Sequence, residues 1–107
     1  MKLLAGIILT LAVLATSAAA AAEPTLVFGE GKYSCSNWLS AHSAEGAHWI
    51  TGYWTGRNHD NANHTVGATT DGDGIVGEVK KVCKEHPSFT LFQATGLVYS
   101  DLSDQSR

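Results

Sequence analysis

The side chains that could bind a metal ion are concentrated in one polar segment, residues 57–74, which is rich in Asn, Asp, Thr and Gly. Five of them offer the nitrogen and oxygen atoms that divalent metals accept as ligands. These residues are His59, Asp60, His64, Asp71 and Asp73. Their spacing matches no established metal site, and no cysteine lies in the segment. The pattern therefore favours a solvated loop closed by turn residues, and we expect no bound metal.

The run Asp71-Gly72-Asp73-Gly74 resembles the beginning of a calcium-binding loop. Such a loop places oxygen ligands at its fifth and twelfth positions. Ile75 and Val82 occupy these two positions, and neither side chain can ligate calcium. The segment is therefore better explained as a turn followed by a helix cap.

Nucleophilic catalysis finds equally little support. Serines and histidines are numerous, but there is no Gly-x-Ser-x-Gly motif and no ordered triad context. The two cysteines, Cys35 and Cys83, do not form the Cys-x-x-Cys pair of a redox site. We therefore expect a protein that is not an enzyme, has no catalytic residues and needs no cofactor.

The N-terminus has the features of a secretory signal peptide. Lys2 is followed by an apolar run over residues 3–14 and by small residues up to Ala22. The apolar run is shorter than the roughly 20 residues that a membrane-spanning helix needs. The sequence therefore predicts a signal peptide over residues 1–22, with cleavage after Ala22. The mature domain, residues 23–107, is expected to be secreted and soluble.

The mature domain is acidic, with six Lys and Arg against ten Asp and Glu, a net charge of −4 with histidines neutral. This charge argues against nucleic acid and anionic membrane surfaces as partners. Five histidines make the charge sensitive to pH between about 5 and 7. Below about pH 3, protonated carboxylates and histidines would raise the net charge to about +11.

A mature domain of this size buries only a small core, and exported domains of this kind commonly contain a disulfide. A bridge between Cys35 and Cys83 would close a loop of about 48 residues and stabilise the fold by roughly 4 kcal/mol. We therefore expect a structural disulfide between them, with a free or catalytic thiol as the alternative.

The first part of the domain predicts an extended arm over residues 23–32 and then a helix capped by Ser34 or Ser36. Residues at helical spacing give this helix one apolar face. They are Cys35, Trp38, Leu39 and His42. The helix should end near residues 43–46, where Gly46 can adopt a helix-end conformation.

A second helix is predicted over residues 47–56, where Gly52 and Gly56 are four apart and would let another backbone approach closely. The polar loop 57–74 follows. Asp73 is the predicted cap of a third helix. Pro87 is predicted to end this helix, because a proline disfavours helical geometry at the residue before it, His86.

A fourth helix, capped by Ser88 or Thr90, should continue to about Leu102. No strand pattern stands out beyond the arm. The expected fold class is therefore all-α, a small single-domain bundle of about four helices.

Three tryptophans are the most distinctive aromatic residues. Trp38 and Trp49 are predicted to lie in the core, whereas Trp54 faces another side of its helix and could be either buried or exposed at an interface. Together with Tyr53 and with Phe28 in the arm, Trp54 forms the predicted partner-binding set.

The order of these features over residues 33–102 resembles the HdeA/HdeB family of small periplasmic helical proteins. Three motifs carry the resemblance, and a final helix follows them. They are Tyr-Ser-Cys at 33–35, Trp-Ile-Thr-Gly-Tyr-Trp-Thr-Gly at 49–56 and Val-Cys-Lys-Glu-His-Pro at 82–87.

The resemblance implies a periplasmic all-helical domain with a disulfide between Cys35 and Cys83 and a dimeric resting state. It also implies an ATP-independent chaperone that binds unfolding periplasmic proteins in strong acid. The polar loop 57–74 is longer than a minimal chaperone needs.

A second, outline resemblance is to the Tai-type immunity family, helical periplasmic proteins that neutralise cell-wall amidases delivered by type VI secretion. It rests on a Gly-aromatic-x-x-Gly segment and on a helix after a proline. It implies one protein partner at neutral pH, bound through Trp54 and the loop 57–74.

Overall fold

The computed structural model describes residues 24–105, which form one all-α domain with no strand in that range. A 3-10 turn, Gly29–Lys32, precedes four helices. Helix α1 spans Cys35–Ala41 and α2 spans Ser43–Asp60. Helix α3 spans Gly72–Glu85 and α4 spans Leu91–Gln105. The predicted fold class is confirmed. The predicted signal peptide, residues 1–22, lies outside the described residues.

The predicted disulfide is confirmed and joins α1 to α3. The Cα atoms of Cys35 and Cys83 are 5.0 Å apart, and both side chains are fully buried. The bridge lies in a core to which all four helices contribute. Its members are Cys35, Trp38, Ile50, Trp54, Val66, Ile75, Val79, Cys83, Leu91, Ala94, Val98 and Tyr99.

α1 is capped by Ser34, one of the two predicted caps, whose Oγ accepts a hydrogen bond from the Asn37 N–H at 3.1 Å. The start of α1 also pairs with the turn before α4. The Cys35 N–H donates to the Phe89 carbonyl at 2.7 Å, and the Leu91 N–H donates to the Tyr33 carbonyl at 2.9 Å. The N-termini of α1 and α4 are therefore held together by backbone hydrogen bonds.

α1 and α2 are separated by a single residue, His42, whose φ and ψ of −133° and 35° interrupt the helix. The prediction that Gly46 ends the first helix is wrong, because Gly46 lies inside α2 and is buried. The indole of Trp38 occupies the space where a Cβ at position 46 would lie. Gly46 is thus required by packing and not by helix termination.

α2 continues four residues beyond its predicted end, so the loop shrinks from the predicted 57–74 to residues 61–71. Tertiary contacts explain the extension, because Arg57 and Asn58 in the added turn both contact Tyr99 of α4. These contacts outweigh the weak helix propensity of the segment.

α3 is capped by Asp71 and not by Asp73, since the Asp71 carboxylate accepts from the Gly74 N–H at 2.8 Å. α3 ends before Pro87, as predicted, with His86 in a non-helical conformation. α4 is capped by Thr90, one of the two predicted caps. The Thr90 hydroxyl accepts from the Gln93 N–H, and Gln93 Oε1 accepts from the Thr90 N–H.

Candidate binding face between α2 and α4

Tyr53 and Arg57 lie one turn apart on α2 and face α4, where Tyr53 contacts Phe92 and Arg57 contacts Tyr99. Arg57 Nη1 donates a hydrogen bond to the Tyr53 hydroxyl at 2.9 Å. The guanidinium carbon of Arg57 lies 4.2 Å from the centre of the Tyr99 ring, within the range of a cation–π contact. Two aromatic side chains thus fix the position of an exposed cation.

The Tyr99 ring is itself held in place by polar contacts at its hydroxyl. That hydroxyl donates to Asn58 Oδ1 at 2.8 Å and accepts from Asn61 Nδ2 at 3.0 Å. Tyr99 is fully buried. The surface on which Arg57 rests therefore has little freedom to move.

Two concave surfaces flank Arg57. The first is a groove of about 450 Å³ between α2 and α4. It is lined by Tyr53, Arg57, Phe89, Phe92, Gln93, Gly96, Leu97 and Ser100. The second, of about 600 Å³, follows α2 towards the loop. It is lined by Gly52, Tyr53, Gly56, Arg57, Asp60, Asn61 and Ala62. Because both contain Tyr53 and Arg57, they form one continuous surface, which we call the Arg57 face.

The groove is largely aromatic and aliphatic. The Phe92 ring meets Tyr53 edge-on, with ring centres 5.8 Å apart. Leu97 leaves 42% of its surface exposed, which makes it one of the few large apolar side chains of α4 in contact with solvent. The groove therefore offers apolar contact area directly beside the Arg57 charge.

Gly52 and Gly56 do not make the predicted close approach to another backbone. Both are exposed, and among the described residues a Cβ added at either position would meet no atom within 4 Å beyond the chain neighbours and the adjacent backbone of α2 itself. The helix turns this side to solvent because its buried side carries Ile50 and Trp54. The two glycines instead line the second concavity of the Arg57 face.

The charged side chains of residues 24–105 are all exposed or half-buried. Two ion pairs can form in this range, Lys81–Glu78 at 3.1 Å and, when the imidazole is protonated, His59–Asp60 at 3.0 Å, and neither includes Arg57. The guanidinium has five N–H donors, of which Tyr53 receives one hydrogen bond. Arg57 can therefore accept a carboxylate from outside without losing an internal partner.

Four of the five residues first considered as metal ligands make local structural contacts. His59 pairs with Asp60, His64 Nδ1 lies 2.8 Å from the Asn58 carbonyl oxygen, and Asp71 caps α3. Within the range 24–105, no three His, Cys, Asp or Glu side chains are grouped so that they could hold a metal ion.

The possibility that Trp54 is exposed at an interface is wrong for the folded domain. Only 4% of its surface is exposed, and its indole N–H donates to the Val66 carbonyl at 2.8 Å. Trp54 follows Ile50 by one turn on the buried side of α2, and its ring packs edge-on against Tyr99. It anchors the loop and cannot contact a partner while the domain is folded.

Of the other two predicted partner-binding residues, Tyr53 is half-buried in the Arg57 face, and Phe28 is 75% exposed in the arm. Partner binding by both stays a prediction. Trp38 is fully buried, as predicted, whereas Trp49 is half-buried against the core and donates its indole N–H to the Phe28 carbonyl at 3.0 Å.

Sequence reasoning missed Arg57 because it assigned this residue to the polar loop. The spacing of Tyr53 and Arg57, four residues apart, is the signal that could have found it, since such pairs meet on a helix. The partner ring, Tyr99, is 42 residues away from Arg57 and could not be inferred from local spacing.

Comparisons with protein-family models, curated proteins and solved structures give no match for this chain. Its function is therefore inferred from its residues and their geometry. Among the helices of residues 24–105, none combines the length and the apolar character needed to cross a membrane.

Proposed function

We propose that this protein is a small periplasmic binding protein without enzymatic activity, and that it acts as an ATP-independent chaperone under acid stress. The observation that carries the proposal is the apolar surface already exposed on the folded domain. Leu26 and Phe28 in the arm are 77% and 75% exposed, and Leu97 adds apolar surface in the groove. Leu26 and Phe28 lie two residues apart in the arm, and large apolar side chains exposed together on a folded domain can contribute to sites that bind other proteins.

Acid would add to this surface by opening the domain. Residues 23–107 would carry a net charge of about +11 below about pH 3, and like charges at that density destabilise a compact state. Small domains are stable by only about 5–15 kcal/mol. The aromatic core would then become available to unfolding clients.

The disulfide supports a reversible response. Cys35 and Cys83 keep α1 joined to α3 when the other contacts loosen. An opened chain that remains crosslinked loses less conformational entropy when it closes again. The resemblance to the HdeA/HdeB family over residues 33–102 supports this function and implies a periplasmic location.

The test is to lower the pH of the oxidised protein from 7 to 2 while recording light scattering, the fluorescence of an apolar dye and the solubility of an unfolding client protein. We expect dye binding to rise reversibly below about pH 3, where the carboxylates are protonated, and the client to stay in solution. If the protein binds no dye at low pH and the client aggregates in its presence, the chaperone function is ruled out.

A second candidate function is that of a dedicated binding protein, such as a Tai-type immunity protein that neutralises a secreted cell-wall amidase. The specific observation in its favour is the Arg57 face, which is formed in the folded domain and held by Tyr53 and Tyr99. The test is to add this protein to amidases delivered by type VI secretion and to measure peptidoglycan hydrolysis. Hydrolysis by the matching amidase should stop once the protein is present in a stoichiometric amount. Undiminished hydrolysis across such amidases would exclude the immunity function.

A further inference from the structure

We propose that the Arg57 face binds a segment of a partner protein in which a single carboxylate stands next to an apolar side chain. The carboxylate would pair with Arg57, and the apolar side chain would enter the groove beside Leu97. This inference rests on the second candidate function, dedicated binding at neutral pH, and is independent of the acid chaperone function.

The charge of Arg57 supplies the first argument. It belongs to neither ion pair of residues 24–105, yet its guanidinium is already positioned by the Tyr53 hydroxyl and the Tyr99 ring. A guanidinium that is planar and fixed in place can receive a carboxylate through two parallel hydrogen bonds. Because the side chain is ordered before binding, less conformational entropy is lost when the partner arrives.

The composition of the groove supplies the second argument. Phe92, Leu97 and Tyr53 line it, and Gly96 forms part of its lining without a side chain to fill it. Aromatic residues together with arginine are the types enriched where partner proteins bind most strongly. The groove of about 450 Å³ can therefore receive an apolar side chain from the same segment that carries the carboxylate.

The surrounding charges decide between one carboxylate and a run of them. The mature domain has a net charge of −4, and Asp60 lines the second concavity next to Arg57. A strongly acidic segment or a nucleic acid would be repelled by this field. A lone carboxylate flanked by apolar residues gains the contact with Arg57 and meets little repulsion.

The shape of the face favours a polypeptide over a small molecule. The two concavities lie on either side of Arg57 and share it, so a ligand that fills both must pass across the guanidinium. An extended chain can do this with consecutive side chains on opposite sides.

The probes are the peptide acetyl-Ala-Leu-Phe with a free C-terminal carboxylate and the same peptide as its C-terminal amide. Each is titrated at pH 7 into the oxidised, ¹⁵N-labelled protein purified after export, and the backbone amide shifts are followed. We expect the acid to shift the amides of Arg57, Gly96 and Leu97. The amide peptide should bind at least about tenfold more weakly, because it loses a charge-assisted hydrogen bond.

Three variants define the role of the guanidinium. Arg57→Gln should weaken binding of the acid peptide by about tenfold or more and abolish its advantage over the amide peptide. Arg57→Lys should keep the preference for the acid but bind it several-fold more weakly, because it lacks the planar fork. Lys84→Gln, which removes an exposed cation from α3, should leave both affinities unchanged.

Three results would each overturn the proposal. They are equal affinity for the acid and amide peptides, amide shifts that fall on α3 instead of the groove, and no amide shifts at millimolar peptide. So would a change in sedimentation coefficient of Arg57→Gln, because the occupant of the face would then be a second copy of this chain. A protein that binds neither peptide but holds clients at pH 2 would refute this inference and leave the chaperone function standing. A protein that binds the acid peptide but does not keep clients in solution at pH 2 would support this inference and refute the chaperone function.

Discussion

Two tryptophans on α2 provide a matched test of how the fold holds its loop. Trp54 and Trp49 each donate an indole N–H to a backbone carbonyl, at 2.8 Å to Val66 and at 3.0 Å to Phe28. The first bond is buried, and the second is exposed. Replacing each indole by phenylalanine removes the same donor in two different environments.

The expected costs follow from this difference. In Trp54→Phe the Val66 carbonyl keeps only the Asn58 amide at 3.2 Å, so a buried hydrogen bond worth about 1 kcal/mol is lost. The smaller ring also leaves a void in the core, which adds about 1–2 kcal/mol. Trp49→Phe should cost about 1 kcal/mol or less, because water can hydrate the exposed Phe28 carbonyl.

Urea unfolding followed by far-ultraviolet circular dichroism measures both costs, because this signal comes mainly from the helical backbone and not from tryptophan fluorescence. We expect Trp54→Phe to destabilise the domain by about 2–3 kcal/mol, a large part of a small domain's stability. Hydrogen exchange should also rise in the loop, residues 61–71, in this variant alone. Equal destabilisation by the two variants, or a larger loss in Trp49→Phe, would refute the assignment of Trp54 as the buried anchor of the loop.

Three further predictions concern packing. Reduction of the Cys35–Cys83 bridge should lower the free energy of unfolding by roughly 4 kcal/mol, the chain-entropy value for a 48-residue separation, as measured by urea unfolding with and without reductant. Gly46→Ala should lower stability by about 1–3 kcal/mol in a thermal melt, because its methyl group would overlap the indole that packs there. Gly56→Ala and its control Gly77→Ala should each raise stability by about 0.5–1 kcal/mol, since both are helical with free space around the new methyl group; destabilisation at Gly56 alone would reveal a contact at that position.

The features that sequence predicted well are determined locally. Thr90 caps α4 through a reciprocal pair of hydrogen bonds three residues apart, and Pro87 ends α3 by restricting the residue before it. Both effects depend on neighbours within one helical turn. The disulfide was predictable for another reason, since only one pairing of two cysteines exists within the chain.

The features that sequence missed depend on contacts between distant residues. Gly46 looked like a helix end, but its role comes from an indole eight residues earlier that lies across it. The last turn of α2 looked like a loop because its residues are poor helix formers, and it is helical because Arg57 and Asn58 reach Tyr99. The Arg57 face forms from the same contacts, so the error in the length of α2 also concealed the candidate site.

The two proposed functions require different protonation states and therefore separate along the pH axis. Binding of a carboxylate by Arg57 requires that carboxylate to be ionised, and an ordinary carboxyl group has a pKa near 4. Pairing with the guanidinium holds the pKa of the bound carboxylate below that value, so the affinity is full above about pH 4 and is lost as the pH falls through the lowered pKa. Opening of the domain needs the opposite condition, because the net charge of residues 23–107 approaches about +11 only when their carboxylates are neutral. Partner binding by Arg57 and opening of the domain thus require opposite protonation states, so one small domain would bind a single partner at neutral pH and many clients in strong acid.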